Sequence, residues 1–556
     1  MEADLMAARG QRIYVTVFAT AAVAALGVAF VPWGPGDEAP PSRVDAQVIR
    51  PATVGRDRSG ERNQPDQTRV AERKPATEEI WQIIRLGRHR IGYSRTMFEP
   101  VREDGQLRIR TTSEVHMTVR RFGQRTRMQA VTRTTETADG DLLGFTLESG
   151  SGANKSTMTG RLIRNGRQLA VETAGNGRSD KRFYDWRDGI KSPTYQDRML
   201  RTYPMKPGDI RRFKTFDPQL GRVVEVRLAA ESYQRRKLAD GRTRNLLRVR
   251  VTQSSSPTEV VHTYLDERGR PMVSESDFIG QTMAHYTVSK AEAVKAIRNE
   301  ELDIGLKSVV RTVPIPGAHK QRQIVYRIAM AGDDPAKFVV ADDRQRVRRI
   351  DRNTIELTVT PSTMPRRAIH VRIDAKYTAP SRYLQSNDRR VREHAVRAAG
   401  YETNSVEVAR KMEKYVSEKL QNKNFSTAMA TAADVARDMQ GDCTEHAVLL
   451  AAMLRVRKVP SRIAIGLVYD DRIVGFVSHM WTEAWLGGTW VGLDATRGQG
   501  RVGAAHIKLA QASFADKSDD PVTAFVPLMN VLGKWNIDVP AAAAKLRPIF
   551  RDRISR

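Results

Sequence analysis

At 556 residues the chain is too long for one hydrophobic core, and at roughly 100 to 200 residues per domain it should hold three or four folding units. Its 92 Lys+Arg against 64 Asp+Glu leave a formal charge of +28, which reads first as a solvated Arg-rich surface and otherwise as a positive field for acidic partners such as anionic envelope polymers or lipid headgroups. The arginines are scattered rather than gathered beside aromatics, so a nucleic-acid protein is not expected, and a single cysteine, Cys443, excludes an intrachain disulfide and a cysteine-rich zinc site.

In chain order, the first feature is a nearly unbroken apolar run from Ile13 to Val31. At about 1.5 Å per helical residue it covers the ~30 Å hydrocarbon core of a bilayer. It is longer than the apolar stretch of a secretory signal and ends at Pro32-Trp33 rather than at a small-residue cleavage site. Residues 1–33 therefore read as an uncleaved transmembrane anchor that leaves the bulk of the chain extracytoplasmic, in the periplasm. Residues 34–78, rich in Pro, Arg and Asp, form a disordered linker.

Alternating apolar and polar residues take over across 79–300, punctuated by the hairpin signals Asp139-Gly140, Asn165-Gly166 and Asp240-Gly241. This predicts an antiparallel β-rich domain, a meander in one or two sheets. A smaller β-rich module follows at 301–384, with runs such as Ile324–Ile328 and Thr354–Val359; its charge run from Arg344 to Arg352 reads as a solvated strand. Helical periodicity begins near Ser386, with Asn404 and Glu407 as an N-terminal capping signature. Residues 385–540 are the candidate catalytic domain and 541–556 a basic tail. The fold class is α+β, helices packed on an antiparallel sheet and preceded by all-β structure.

Chemistry concentrates in Gly441-Asp442-Cys443-Thr444-Glu445-His446-Ala447, which opens a helix apolar around most of its circumference and hence buried. A thiol at a helix N-terminus meets unpaired N–H groups and the positive end of the macrodipole, which favour thiolate and can contribute to an oxyanion hole. An isolated cysteine is more often a small buried hydrophobe, so its partners matter. They lie in Ser478–Leu486 and Thr489–Thr496, flanking Gly487-Gly488. A two-residue turn there opposes Leu486 to Thr489 and places His479 diagonal to Asp494 on one face of the hairpin. A carboxylate on one ring nitrogen would fix the tautomer and leave the other to take the thiol proton.

The Gly441–Ala447 motif, Val459–Ala464, the His479-x-Trp481-x-Glu483 strand and Trp490–Thr496 together resemble the core of bacterial transglutaminase-like proteins, over about residues 385 to 500. The resemblance implies a papain-like core with Cys443 as nucleophile, His479 as general base and then acid, and Asp494 as orienter. It further implies acyl transfer or hydrolysis on protein or peptide amides through a thioester, with no cofactor and no metal. His446, one turn from Cys443, is expected to support the site rather than act as base. Trp481 shares a face with His479 and walls the cleft or belongs to the core, and Asp470-Asp471-Arg472 is a turn that could face substrate. A rival class is a non-catalytic envelope scaffold, with the papain-like unit and the basic β domain serving recognition.

Overall fold

The computed structural model describes residues 77–540 apart from 122–123, 152–153, 176–177, 219–220, 255, 297–301, 367–372, 421–429 and 516–520. The predicted anchor, nearly all of the linker and the basic tail lie outside the described residues, among which no helix is long and apolar enough to cross a membrane. The protein is mostly β with few helices.

Period-two patterning builds the first half. In Thr243–Gln253 the residues Leu247, Val249 and Val251 are buried while Arg248, Arg250 and Thr252 are not, as a pleated strand requires when one face is covered. Each Asx-Gly pair turns a hairpin; at Asn165-Gly166 both residues have positive φ, of 53° and 82°, which glycine accepts without a Cβ clash. The strands form one fifteen-stranded sheet made of two meanders. They join where the first strand, Glu78–Leu86, pairs antiparallel with the last, Gln281–Val288, from Trp81↔Val288 to Leu86↔Met283. The sheet curls far enough for one edge to return to its other half: Ser192 N–H donates to Gly140 O at 2.9 Å, beside an Asp141↔Lys191 bridge. Inside, Phe216 packs on Phe145, Tyr184 and Trp186. The helix Tyr195–Thr202 buries Met199 and Leu200 against Leu228, Leu247 and Val249.

A four-stranded sheet follows, in the order Gln345–Arg349, Thr354–Val359, Ile324–Met330, Trp535–Asp538. Its last strand arrives from near the end of the 385–540 region. Arg344, at the head of the charge run expected to be solvated, is buried and donates to Thr360 O and Gly503 O.

Among the described residues, the segment carrying the candidate site opens with four helices, α1 (Arg389–Ala399), α2 (Ser405–Lys419), α3 (Ala432–Asp438) and α4 (Cys443–Val456). They lie with strands β1 (Ser461–Asp470), β2 (Gly475–Leu486), β3 (Thr489–Leu493) and β4 (His506–Ala512). β1 lies between β2 and β4, and β3 pairs with the far half of β2. Every residue of α4 from Cys443 to Arg455 is buried, because neighbouring helices and the sheet enclose it; Thr482 Oγ1 on β2 donates to Ala447 O at 2.8 Å. One apolar cluster runs from α4 through β1, β2 and the four-stranded sheet to Ile84, Met117 and Met283 of the large sheet.

Candidate active site

Helix α4 begins at Cys443 because Asp442 caps it. The Asp442 side chain accepts Thr444 N–H at 2.8 Å, and Glu445 reaches back to Asp442 N–H at 2.9 Å. That reciprocal pair satisfies two first-turn donors. Gly441 makes room for it: a Cβ there would stand 2.4 Å or less from Glu445 Cβ and Cγ.

The Cys443 sulfur accepts the backbone N–H of Met480, the residue after His479. Burial, with Asp442, Glu445 and Asp494 nearby, nevertheless holds the thiol well above its ordinary pKa. The helix N-terminus, expected to favour thiolate, is outweighed because desolvation penalises the anion and two carboxylates of the capping box stand beside it. The resting sulfur is therefore a neutral thiol that needs a base.

The β2–β3 hairpin pairs Leu486↔Thr489, Trp485↔Trp490, Ala484↔Val491 and Glu483↔Gly492. The ladder ends at Thr482↔Leu493, and one step further Asp494 stands opposite Trp481, on the face that also carries His479. His479 Nε2 lies 2.8 Å from Asp494 Oδ2. The same oxygen is 3.0 Å from His506 Nε2 on β4, while Oδ1 accepts Thr496 N–H at 3.1 Å. Burial alone would raise the Asp494 pKa, but the imidazoles of His479 and His506 overcome it and hold the carboxyl well below its ordinary value. An ionised carboxylate only accepts hydrogen bonds, so both rings present N–H at Nε2. The His479 ring nitrogen that Asp494 does not hold is therefore Nδ1.

His506 is fully buried, and its pKa is pushed down to about 3, by burial first, despite Asp494. It is a neutral donor to Asp494 rather than a second base, and its Nδ1 has no hydrogen-bond partner among the described residues. Its position was readable as a polar residue at the head of the apolar strand HIKLAQA, but such alternation ordinarily marks a solvated face. Glu413 was missed for a related reason. It sits among Ala409, Met412 and Val416 on the buried stripe of α2, where a charge is unexpected. Burial and the charge of Asp494 raise its carboxyl to about 7 against the pull of Gly500 N–H.

Trp481 is buried with its ring stacked near His479, centroids 6.2 Å apart, and edge-on to His506 at 5.5 Å. It thus lines the histidine pair. His446 directs Nδ1 at Asp442 O, 2.7 Å, and Nε2 at Leu420 O, 3.1 Å, so it ties the start of α4 to the end of α2 and both nitrogens are engaged. Asp470 caps the turn after β1 through Arg472 and Ile473 N–H. His479, Asp494 and His506 offer ligand atoms within 4.8 Å of one another, a spacing a divalent metal could use. The two ring-to-carboxylate hydrogen bonds account for that spacing without one.

A lone thiol thus opens a buried helix and lies against the backbone beside a histidine–aspartate pair, groups of the kind that nucleophilic catalysis uses. Residues 392–495 form a domain of the Transglutaminase-like superfamily. No curated protein matches the sequence. Among solved structures the chain is similar to a "Putative Cysteine Protease" of Cytophaga hutchinsonii, with 18% identity, 36% of this chain and 82% of that one covered, and a TM-score of 0.26. It is also similar to a "Beta-barrel-like Protein of Domain of Unknown Function" from Brucella abortus, with 14% identity, 38% and 96% covered and a TM-score of 0.28. A third is a "putative protease" of Parabacteroides distasonis, with 12% identity, 65% and 67% covered and a TM-score of 0.18.

Proposed function

We propose that the protein is a cysteine enzyme that transfers or hydrolyses the acyl group of protein or peptide amides through a thioester on Cys443. The observation that carries the reading is the hydrogen bond from His479 Nε2 to Asp494 Oδ2, 2.8 Å, on a strand whose next amide donates to the Cys443 sulfur.

His479 Nδ1 takes the thiol proton as sulfur attacks the carbonyl carbon, and the carbonyl electron pair moves onto oxygen. Asp494 stabilises the imidazolium that forms. In this reading the Cys443 N–H, at the first position of α4, donates to the oxyanion. The tetrahedral adduct collapses to the thioester, expelling the amine, which receives the proton from His479 Nδ1. A second amine, or water, then loses its proton to His479 as it attacks the thioester, and sulfur leaves as the restored thiol. In this reading residues 13–31 anchor the enzyme to the membrane and the catalytic segment works outside the cytoplasm. Retention in a membrane fraction that persists after deletion of residues 1–33 would reject that anchor.

The test of the chemistry is incubation of the full chain with a glutaminyl peptide and a labelled amine. Label incorporation, or release of ammonia alone, is expected from the native protein and absent from Cys443→Ala, and His479→Ala should lower the rate by about a hundredfold or more. The second reading, a scaffold, is favoured by one observation: Cys443 is 2% exposed. If iodoacetamide labels Cys443 no faster than it labels the unfolded chain, and neither product forms, the scaffold reading replaces the enzyme.

A further inference from the structure

A cleft of about 570 Å³ opens between α2 and the 498–501 loop, walled by Met364, Arg410, Lys414, Gln499 and Arg501, with Glu413 at its base. It is joined to the candidate site by direct bonds. Gly498 N–H donates to Asp494 O at 3.0 Å, and Gly500 N–H donates to Glu413 Oε1 at 3.0 Å. The loop lies close on the helix, since a Cβ on Gly498 would stand 2.5 Å from Ser417 Oγ. Glu413 is 3% exposed. Its Oε1 accepts the loop amide, and the residue lines the cleft.

Three cations line this volume against the carboxyls of Glu413 and Glu418. The cations are lightly committed. Arg410 lies 3.4 Å from Glu407 and Lys414 3.7 Å from Glu418, both with more than half of the side chain exposed, while Arg501 Nη1 donates to Ser362 O. Exposed pairs of that length are worth little and exchange readily for a better anion. We propose that this cleft is the subsite for an acidic segment of the peptide acyl donor, its carboxylates held by Arg410, Lys414 and Arg501 beside the Glu413 carboxyl. The inference rests on the acyl-transfer reading and names the substrate class it would prefer.

Glu413 gives the subsite a pH dependence. Arg410, Lys414 and Glu418 from its own helix and Gln499 and Arg501 from the loop line the same cleft, and Asp494, just past the β3 strand, acts on its carboxyl. Below about pH 7 its carboxyl is protonated and donates a hydrogen bond. Above that it is an anion beside Asp494 and repels an acidic ligand.

The experiment uses the full chain carrying Cys443→Ala, so binding is read without turnover. Two fluorescent glutaminyl peptides of equal length, one flanked by Glu and the other by Gln, are compared by anisotropy at pH 6 and pH 8. The acidic peptide should bind about tenfold more tightly at pH 6, lose severalfold at pH 8, and retain its affinity at pH 8 in Glu413→Gln. Arg410→Gln with Lys414→Gln should erase the preference, as should high salt, with circular dichroism and thermal unfolding verifying the fold of each variant. Equal binding of the two peptides, or a preference that survives the double substitution in a folded protein, overturns the subsite. Amine incorporation by the native chain judges Cys443 separately, so a peptide preference without turnover removes the enzyme and keeps the subsite, and turnover without preference does the reverse.

Discussion

One carboxylate oxygen, Asp494 Oδ2, serves two imidazoles at 2.8 and 3.0 Å. An amide in its place offers one neutral acceptor oxygen and a donor nitrogen, so Asp494→Asn must leave both ring N–H groups without an anionic acceptor, turn its NH2 toward either the rings or Thr496 N–H, and remove the charge that stabilises imidazolium. Turnover should fall by about a hundredfold or more, while affinity for a peptide seated in the neighbouring cleft stays within a fewfold. An Asp494→Asn variant that turns over at the native rate would detach His479 from the mechanism. Glu413 makes an opposite prediction, about stability. Its carboxyl, ordinarily near 4.5, titrates at about 7 in the folded chain. Between those values the folded state holds a proton that the unfolded chain has released, so stability falls as pH rises through the window, and the cost is complete above 7. A shift of that size is worth roughly 3 kcal/mol at most. Glu413→Gln should therefore raise the melting temperature at pH 8 more than at pH 4.5, and an equal gain at both would refute the assignment.

Local pattern carries far at the scale of elements. A two-residue Gly-Gly turn suffices to compute the β2–β3 register, and with it the meeting of His479 and Asp494, because side chains alternate and a tight turn fixes pairing. The capping box at Asp442 and the apolar circumference of α4 are equally local. What alternation does not disclose is which strand from elsewhere lies alongside, and that is why β4 and its His506 escape a sequence reading. The β1–β4 contact also has little room. Gly466 pairs with His479 on one side and Lys508 on the other, and a Cβ there would lie 1.9 Å from Ile507 O. Gly466→Ala must push β4 outward, carrying His506 away from Asp494. The expected cost is about 1 to 3 kcal/mol or more, read as a lower urea midpoint, together with a loss of turnover. A variant with unchanged midpoint and rate would mean that β4 adapts freely and that His506 does not govern Asp494.

Across the whole molecule, nothing near Trp81 or Val288 in the sequence announces that they pair, nor that Trp535–Asp538 completes a sheet begun at Ile324. Such joins are decided by which apolar faces remain uncovered once the local elements have formed. The same logic applies where the large sheet meets the catalytic segment. Ile84, Leu86, Met117, Val119, Met128, Phe278 and Met283 belong to one buried cluster with α4 and β1. At their border Arg120 N–H donates to Leu302 O at 3.0 Å, and Gly280 lies so close to Gly533 that a Cβ would stand 2.5 Å from its carbonyl oxygen. Each large aliphatic side chain contributes about 1.5 to 3 kcal/mol when fully buried, and several would lose part of that cover if the sheet were removed. A fragment beginning at Leu302 should bind a hydrophobic dye and unfold at a lower urea concentration than the full chain, whose fluorescence and circular dichroism transitions should coincide over both regions. Gly280→Ala tests the same border without truncation, and it should lower the midpoint of the full chain. If the fragment unfolds at the same midpoint as the catalytic region of the full chain, and Gly280→Ala is silent, the large sheet is a separate domain and the common core has no energetic meaning.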